Sequence, residues 1–285
     1  MNKINTVKSI QDEVFALKKQ GKKIGLIPTM GALHEGHLSL VEQAKQQCDV
    51  VIVSIFVNPT QFNNASDLEK YPRTIEKDMN LLSGHGVAFV FTPSVEEIYP
   101  SDYVKSALDL GTLDQVMEGA FRPGHFQGVV EVVKRLLDTV QPDAAYFGKK
   151  DFQQLAVIHF MVNYFRIPVT IVECPIIRSD RGLALSSRNM RLSEPEKEQA
   201  LAIYQALLFV STHTKDYSPQ ELMEKGTEMI NAAGLKTEYV EIVNPVTLET
   251  LTHKWVPGAV CCVAAYCGEV RLIDNMTVEG DLVEN

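Results

Sequence analysis

The chain is short of the features that mark several large protein classes. No apolar run approaches the length needed to cross a bilayer, and the longest, residues 259–267, reads as a buried strand. Residues 1–8 lack the apolar core of a secretory signal, so a cytoplasmic location with no membrane partner is expected. Basic residues are outnumbered, 27 Lys and Arg against 36 Asp and Glu. The resulting net charge of −9 argues against nucleic acid as a partner, because duplex binding rests on a basic face. A small anionic substrate is still admitted wherever cations gather locally. The five cysteines (Cys48, Cys174, Cys261, Cys262 and Cys267) are odd in number and without C-x-x-C spacing, and they read as reduced packing residues. There is no internal repeat and no low-complexity tract. Apolar residues at 45% and charged residues at 22% describe an ordinary globular chain, and 285 residues suit two domains.

What is present organises around residues 27–40, where an apolar strand meets an amphipathic helix through a turn holding Gly31, Gly36, His34 and His37. Residues 23–27 read as a short buried strand, and Leu38, Leu40, Val41 and Ala44 recur at helical spacing. The first N–H groups of a helix are unpaired and partly positive, which suits a phosphate. Glycines at 31 and 36 let an anion approach the main chain, and two histidines three residues apart can donate to one polyphosphate. The same histidines could serve as helix caps. A zinc site fits less well, since H-E-x-x-H is absent and no third ligand stands at useful spacing.

Along the chain, Ile10, Val14 and Leu17 mark a helix over 8–20 that Gly21 stops. Residues 49–57 form a β-branched run typical of a strand covered on both faces, which implies a parallel sheet. It ends in Asn58-Pro59-Thr60-Gln61, placing the amides of Asn58 and Gln61 at a strand's C-terminal edge, where α/β sheets bind ligands. A helix over 74–83, a strand over 87–91 and a short strand over 104–110 are expected next. The segment Phe121-Arg122-Pro123-Gly124-His125-Phe126-Gln127-Gly128 reads as a loop, either substrate-facing or a surface turn, before a helix over 129–140. A strand over 143–147 leads into Gly148-Lys149-Lys150-Asp151 and a helix over 152–165, repeating the geometry of the first corner. There the lysines offer point charges to phosphate, and Asp151 offers a carboxylate to Mg²⁺ or a ribose hydroxyl. After a strand over 169–173, a polar loop carries Arg178, Arg181 and Arg188, the last flanked by Ser186 and Ser187 and able to clamp a triphosphate. Ser193 caps a helix reaching about residue 212; a helix over 219–233 and strands over 236–243, 259–266 and 270–274 complete the chain. The expected fold is α/β: a Rossmann-like parallel sheet in an N-terminal domain, 1–176, with a smaller α+β C-terminal domain, 177–285.

Three separated stretches then agree: Pro28-Thr29-Met30-Gly31-Ala32-Leu33-His34-Glu35-Gly36-His37, Phe147 to Gln154, and Leu185-Ser186-Ser187-Arg188. Together, and with residues 54–62, they resemble the pantoate–β-alanine ligase (pantothenate synthetase) family of the nucleotidyltransferase superfamily with its H-x-G-H signature. The resemblance runs over nearly the whole chain. It implies that ATP and (R)-pantoate form a pantoyl adenylate, which β-alanine attacks to give pantothenate and AMP; another nucleotidyltransferase of the superfamily is the alternative. It implies an ATP site made of Met30, Gly31, Ala32, Leu33, His34, Glu35, Gly36, His37, Gly148, Lys149, Lys150, Asp151, Ile177, Leu185, Ser186, Ser187 and Arg188. Leu185 stands where relatives often carry Met, a volume-conserving change. His34, His37, Lys150 and Arg188 are the implied catalytic residues, with His37 usually labelled the proton donor, although hydrogen-bond donation suffices for a pyrophosphate leaving group. Gln61 and Gln154 would bind pantoate, with Asn58 beside them. Mg²⁺ would accompany ATP, the second domain and the 186–188 loop would close over the adenylate, and a homodimer is implied.

Overall fold

The computed structural model describes residues 1–62, 65–106 and 108–278. The chain forms two compact units, one of Met1–Asp114, Glu118–Lys149 and Gln154–Pro175, the other of Gln115–Met117, Lys150–Gln153 and Ile176–Asn285. In chain order the first elements are β1 (Asn2–Ile4), α1 (Val7–Lys19), β2 (Ile24–Thr29), α2 (Glu35–Gln47), β3 (Val50–Ile55), α3 (Ala65–Lys70), α4 (Ile75–Leu82) and β4 (Phe89–Phe91). There follow α5 (Val95–Ile98), α6 (Met117–Phe121), α7 (His125–Val140), β5 (Ala144–Gly148), α8 (Phe152–Phe165) and β6 (Thr170–Cys174). The second unit adds α9 (Glu194–Thr212), α10 (Pro219–Ala232), β7 (Lys236–Val243), β8 (Val260–Cys267) and β9 (Val270–Thr277).

The first unit is a six-stranded sheet in the order β1-β4-β3-β2-β5-β6, every pairing parallel. β2 shows why its sequence is apolar throughout. Ile24 and Leu26 enter one core cluster with Phe126, Leu137 and Ile158, while Ile27 enters a second cluster with Leu38, Val41 and Ala44 of α2. A strand covered on both faces cannot alternate with polar residues. The chain runs outward from β2 through β3 to β4, then returns to β5 on the other side of β2. Strand order therefore reverses between β2 and β5, and the crevice beyond their C-terminal ends is the usual ligand position in such sheets.

The second unit packs α9 and α10 over the antiparallel sheet β7-β8-β9. Its core gathers Ile203, Leu207 and Val210 of α9 with Leu222 and Ile230 of α10 and Cys261, Val263 and Ala265 of β8. Ser193 and Ser218 open the two helices with reciprocal capping boxes closed by Glu196 and Glu221. All five cysteines are free thiols, and all but Cys48 are buried. Among the described residues no helix is long and apolar enough to cross a membrane.

Two expectations from the sequence are corrected. Among the described residues of 104–110 no strand forms, and Ala107 lies outside the described residues. The segment 121–128 is not a loop throughout, because α7 begins at His125, four residues before the expected start. Its glycines suggested a turn. Gly124 does stand in the left-handed region as the helix N-cap, but Gly128 is helical, and a Cβ there would lie 2.5 Å from the Thr60 carbonyl oxygen. That glycine serves close approach of two backbones. β1, α3 and α5, all short, carry too few residues for periodicity to reveal them.

Candidate active site

In the first unit the corner after β2 is built from the main chain outward. Thr29 Oγ1 donates to the Ser54 carbonyl and accepts the Gly31 N–H, turning the chain at the strand's end. Gly31 has φ +81° and Ala32 φ +51°, so two successive residues sit in the left-handed region. A non-glycine residue there is strained, and the carboxylate of Asp78 holds it: Oδ2 accepts the Ala32 N–H at 3.0 Å and Oδ1 the Leu33 N–H at 2.8 Å. Asp78 is 2% exposed, on the inner face of α4, and Thr74 Oγ1 also donates to it. The Cβ of any side chain at Gly31 would come within 3.0 Å of the Asp78 carboxylate.

The two histidines then cap α2. His34 Nδ1 accepts the Gly36 N–H at 3.1 Å, and His37 Nδ1 accepts the His34 N–H at 3.3 Å. With Nδ1 an acceptor in each ring, the neutral imidazole carries its proton on Nε2. The ring centroids lie 4.2 Å apart. The N–H groups of Gly31, Ala32, Leu33, His34 and Gly36 each have a protein acceptor, and the two imidazoles add side-chain donors at the same corner.

Beside this corner, the turn after β3 carries Asn58 and Gln61. Asn58 is fully buried and its amide is committed within the protein. Its Oδ1 accepts from Thr60 N, Thr60 Oγ1 and Tyr99 Oη, and its Nδ2 donates to the Gly128 carbonyl and to Gln61 Oε1. Burial raises Tyr99 to a pKa of about 12, keeping its hydroxyl a donor. Gln61 is 6% exposed, and its Nε2 points to Met30 Sδ at 3.0 Å. A thioether is a weak acceptor, so an oxygen from a ligand would be the better partner. The structure thus brings Met30 and Gln61 together, with Asn58 holding the Gln61 carbonyl. Gln154 is half-buried in the first turn of α8. Gly148 closes β5, and Lys149, half-exposed, pairs with Glu173 at 3.6 Å, which in turn meets His159.

In the second unit, Lys150, Ser186 and Arg188 line one recess, open to solvent, together with Tyr204 and Asp274. Lys150 is held through its backbone, since Asn275 Nδ2 donates to its carbonyl at 2.9 Å. Asp151 Oδ1 lies 3.9 Å from Lys150 Nζ. Ile177 and Leu185 are joined by a backbone hydrogen bond of 2.9 Å, closing the loop between them. Inside that loop Arg178 spans Asp274 with two hydrogen bonds and stacks on Tyr204. Ser186 caps a short 3-10 turn, Ser187–Arg191, by accepting the Arg188 N–H, and Ser187 is buried within it. Glu35 is exposed at the first position of α2.

Three residues that support these positions are not singled out by the sequence: Asp78, Tyr99 and Asn275. For Asp78 a signal exists, because it stands four residues before the buried Leu82 and so on the apolar face of α4. An aspartate on that face needs buried donors.

Comparison with known proteins adds to this geometry. A family profile described as pantoate-beta-alanine ligase matches residues 2–277. The pantothenate synthetase of Bacteroides thetaiotaomicron is 52% identical, over 97% of this chain and 98% of that protein. That of Caldicellulosiruptor bescii is 44% identical, over 97% and 98%. Among solved structures, pantothenate synthetase from Thermus thermophilus superposes with a TM-score of 0.91 at 43% identity, over 97% of this chain and 99% of that one. The pantoate-beta-alanine ligase of Francisella tularensis, complexed with beta-gamma ATP and beta-alanine, superposes with a TM-score of 0.83 at 38% identity, over 97% of each chain.

Proposed function

This chain belongs to the pantoate-beta-alanine ligase family, and from that premise we propose that it joins (R)-pantoate to β-alanine through a pantoyl adenylate, with its residues in the following roles. The pantoate carboxylate attacks the α-phosphorus of ATP; the new acyl–oxygen–phosphorus link forms as the bond to pyrophosphate breaks. The β-alanine amine then attacks the acyl carbon, AMP leaves, and the amine loses a proton. A carboxylate approaching a triphosphate meets repulsion, so the site must neutralise charge and hold the groups in line.

The observation that carries the reading is the pair of capping imidazoles, each with Nδ1 spent on a backbone N–H and its proton on Nε2. Two such donors side by side suit developing charge on a transferring phosphate, with no need for either ring to release a proton. Lys150 and Arg188, which line one recess of the second unit, supply the permanent positive charge. Lys150 is favoured over Lys149 because it lines the recess with Arg188, whereas Lys149 is half-exposed and does not. Gly148, Lys149, Asp151, Ile177, Leu185, Ser186 and Ser187 complete the nucleotide-binding set, as do Met30, Gly31, Ala32, Leu33, Glu35 and Gly36. Gln61 and Gln154 bind pantoate by neutral amides, and Asn58 acts through Gln61. Mg²⁺ would be held chiefly by the phosphates of ATP. Among the described residues no group of three or more His, Cys, Asp or Glu is placed to hold a metal ion, and Mg²⁺ is commonly bound by substrate phosphates with one or two carboxylates, for which Asp151 is suited. A homodimer in the cytoplasm belongs to the same proposal.

The test is isotope exchange. Pyrophosphate exchange into ATP should require pantoate and not β-alanine, and the full reaction should release AMP. Exchange indifferent to pantoate, or ADP as product, would overturn the reading and leave a different nucleotidyltransferase. His34→Ala and His37→Ala should slow adenylate formation in stopped flow far more than they raise the pantoate KM. Unchanged rates would remove both rings from the mechanism.

A further inference from the structure

The segment 121–128 stands out in the sequence and has no role in the reaction as described. The structure assigns to His125 the positioning of Gln61, through a relay that begins at Glu118; this rests on the reading of Gln61 as a pantoate-binding amide. His125 opens α7 and is 6% exposed, and its Nδ1 lies 2.8 Å from the Gln61 carbonyl oxygen. A carbonyl only accepts, so Nδ1 carries the proton. Its Nε2 lies 3.2 Å from Arg122 NH1, and a guanidinium only donates, so Nε2 is the acceptor. One tautomer satisfies both contacts. Arg122 NH1 also faces Glu118 Oε2 at 3.3 Å, one turn earlier in the chain, and Glu118 is 6% exposed. The carboxylate fixes the guanidinium, the guanidinium fixes the tautomer, and the tautomer makes a donor aimed at the main chain of Gln61.

A second contact shows that the first turn of α7 grips the 58–61 turn as a unit. The Gly128 carbonyl, one turn along, accepts from Asn58 Nδ2, the same amide nitrogen that donates to Gln61 Oε1. Gly128 permits this, since a Cβ would lie 2.5 Å from the Thr60 carbonyl oxygen and 2.6 Å from the Gln61 nitrogen. His125 thus sets the backbone of Gln61 while Asn58 sets its side-chain carbonyl, leaving Nε2 against the weak acceptor Met30 Sδ. A surface turn would not need a buried carboxylate, a largely buried guanidinium and a buried imidazole in series, because desolvating such groups is costly unless each is paired.

The experiment compares His125→Leu, which removes the donor, with His125→Asn, whose amide N–H stands where Nδ1–H lies. KM values for pantoate and ATP are read separately by pyrophosphate exchange, with Gln61→Ala alongside. The expected result is a pantoate KM raised about tenfold by His125→Leu, the loss of one well-made buried hydrogen bond, with the ATP KM within about twofold and His125→Asn close to the unaltered enzyme. Should His125→Leu fail to fold, Arg122→Met carries the test, since it frees the imidazole to change tautomer and should raise the pantoate KM alone. A pantoate KM left unchanged by both Leu and Met variants, equal changes in the two KM values, or an Asn variant as impaired as Leu would each overturn the positioning role. If Gln61→Ala itself leaves the pantoate KM unchanged, the assignment of Gln61 falls; if only the His125 variants do, that assignment stands and the relay alone is refuted.

Discussion

Replacing Asp78 by alanine should loosen the corner that carries the two histidines, and the size of the effect follows from what the carboxylate holds. Two backbone N–H groups, of Ala32 and Leu33, lose their acceptor in a place where Asp78 is 2% exposed. Each buried donor left unpaired costs about 1–3 kcal/mol, and water entering the space recovers part of that, so a loss of about 3 kcal/mol is expected. Ala32, at φ +51°, adds strain of about 1–2 kcal/mol that only the surrounding bonds maintain, so the segment should relax once they go. Against a total of about 5–15 kcal/mol for a typical protein, such a loss is measurable. Urea unfolding followed by circular dichroism gives the shift, provided the slope with denaturant is unchanged. Native-state hydrogen exchange gives its location, with the amides of Ala32 and Leu33 exchanging far faster. Adenylate formation should slow as well, because His34 and His37 follow directly. A shift below about 0.5 kcal/mol with both amides still protected would refute the claim that Asp78 holds the corner.

Lys150→Ala should slow the first half-reaction by at least about tenfold, whereas Lys149→Ala, which breaks a half-exposed pair with Glu173 outside the recess, should leave it within about twofold; equal effects would remove the distinction between them. Arg178→Gln strands Asp274, whose side chain is 4% exposed, and should destabilise the second unit by about 3–5 kcal/mol, read from the fluorescence of Trp255 during unfolding. A shift under about 1 kcal/mol would show that pair to be dispensable. Glu196 and Glu221 are held below an ordinary glutamate pKa, first by the backbone N–H of Ser193 and Ser218. Their contribution to the starts of α9 and α10 is therefore present above the unfolded value of about 4.3 and lost as pH falls through the lower folded value. Carboxyl NMR titration should find both below that value, and ordinary titration would remove them from the caps.

The parallel sheet was readable because its strands are covered on both faces. In β2 and β3, apolar runs too short for a buried helix and ended by Thr29 and Ile55 leave few alternatives. The same logic fails for β1, whose three residues have no pattern of their own and become a strand only because β4 offers a free edge. It fails differently at α7. Gly124 and Gly128 look alike in sequence, yet one stands outside the helix in the left-handed region and the other inside it against the backbone of Thr60. Only the partner at 60–61, far away in the chain, separates a turn glycine from a packing glycine.

The site shows the same division between what is local and what is not. Histidines, amides and lysines at the ends of strands announce a polar site, since nothing else explains such residues directly after buried β-branched runs. Their residue types do not say how each polar atom is used. Asn58 and Gln61 carry the same functional group three residues apart, but Tyr99 and Gly128 occupy the first, while the second has a sulfur for its donor's partner. In the turn before α2 Asp78 takes the N–H groups of Ala32 and Leu33, and the imidazoles take those of His34 and Gly36. The imidazoles at this corner are consequently donors whose tautomers the backbone sets. Substitutions that leave every histidine and glutamine of the site in place, at Asp78 or Arg122, should therefore reach the chemistry through the main chain.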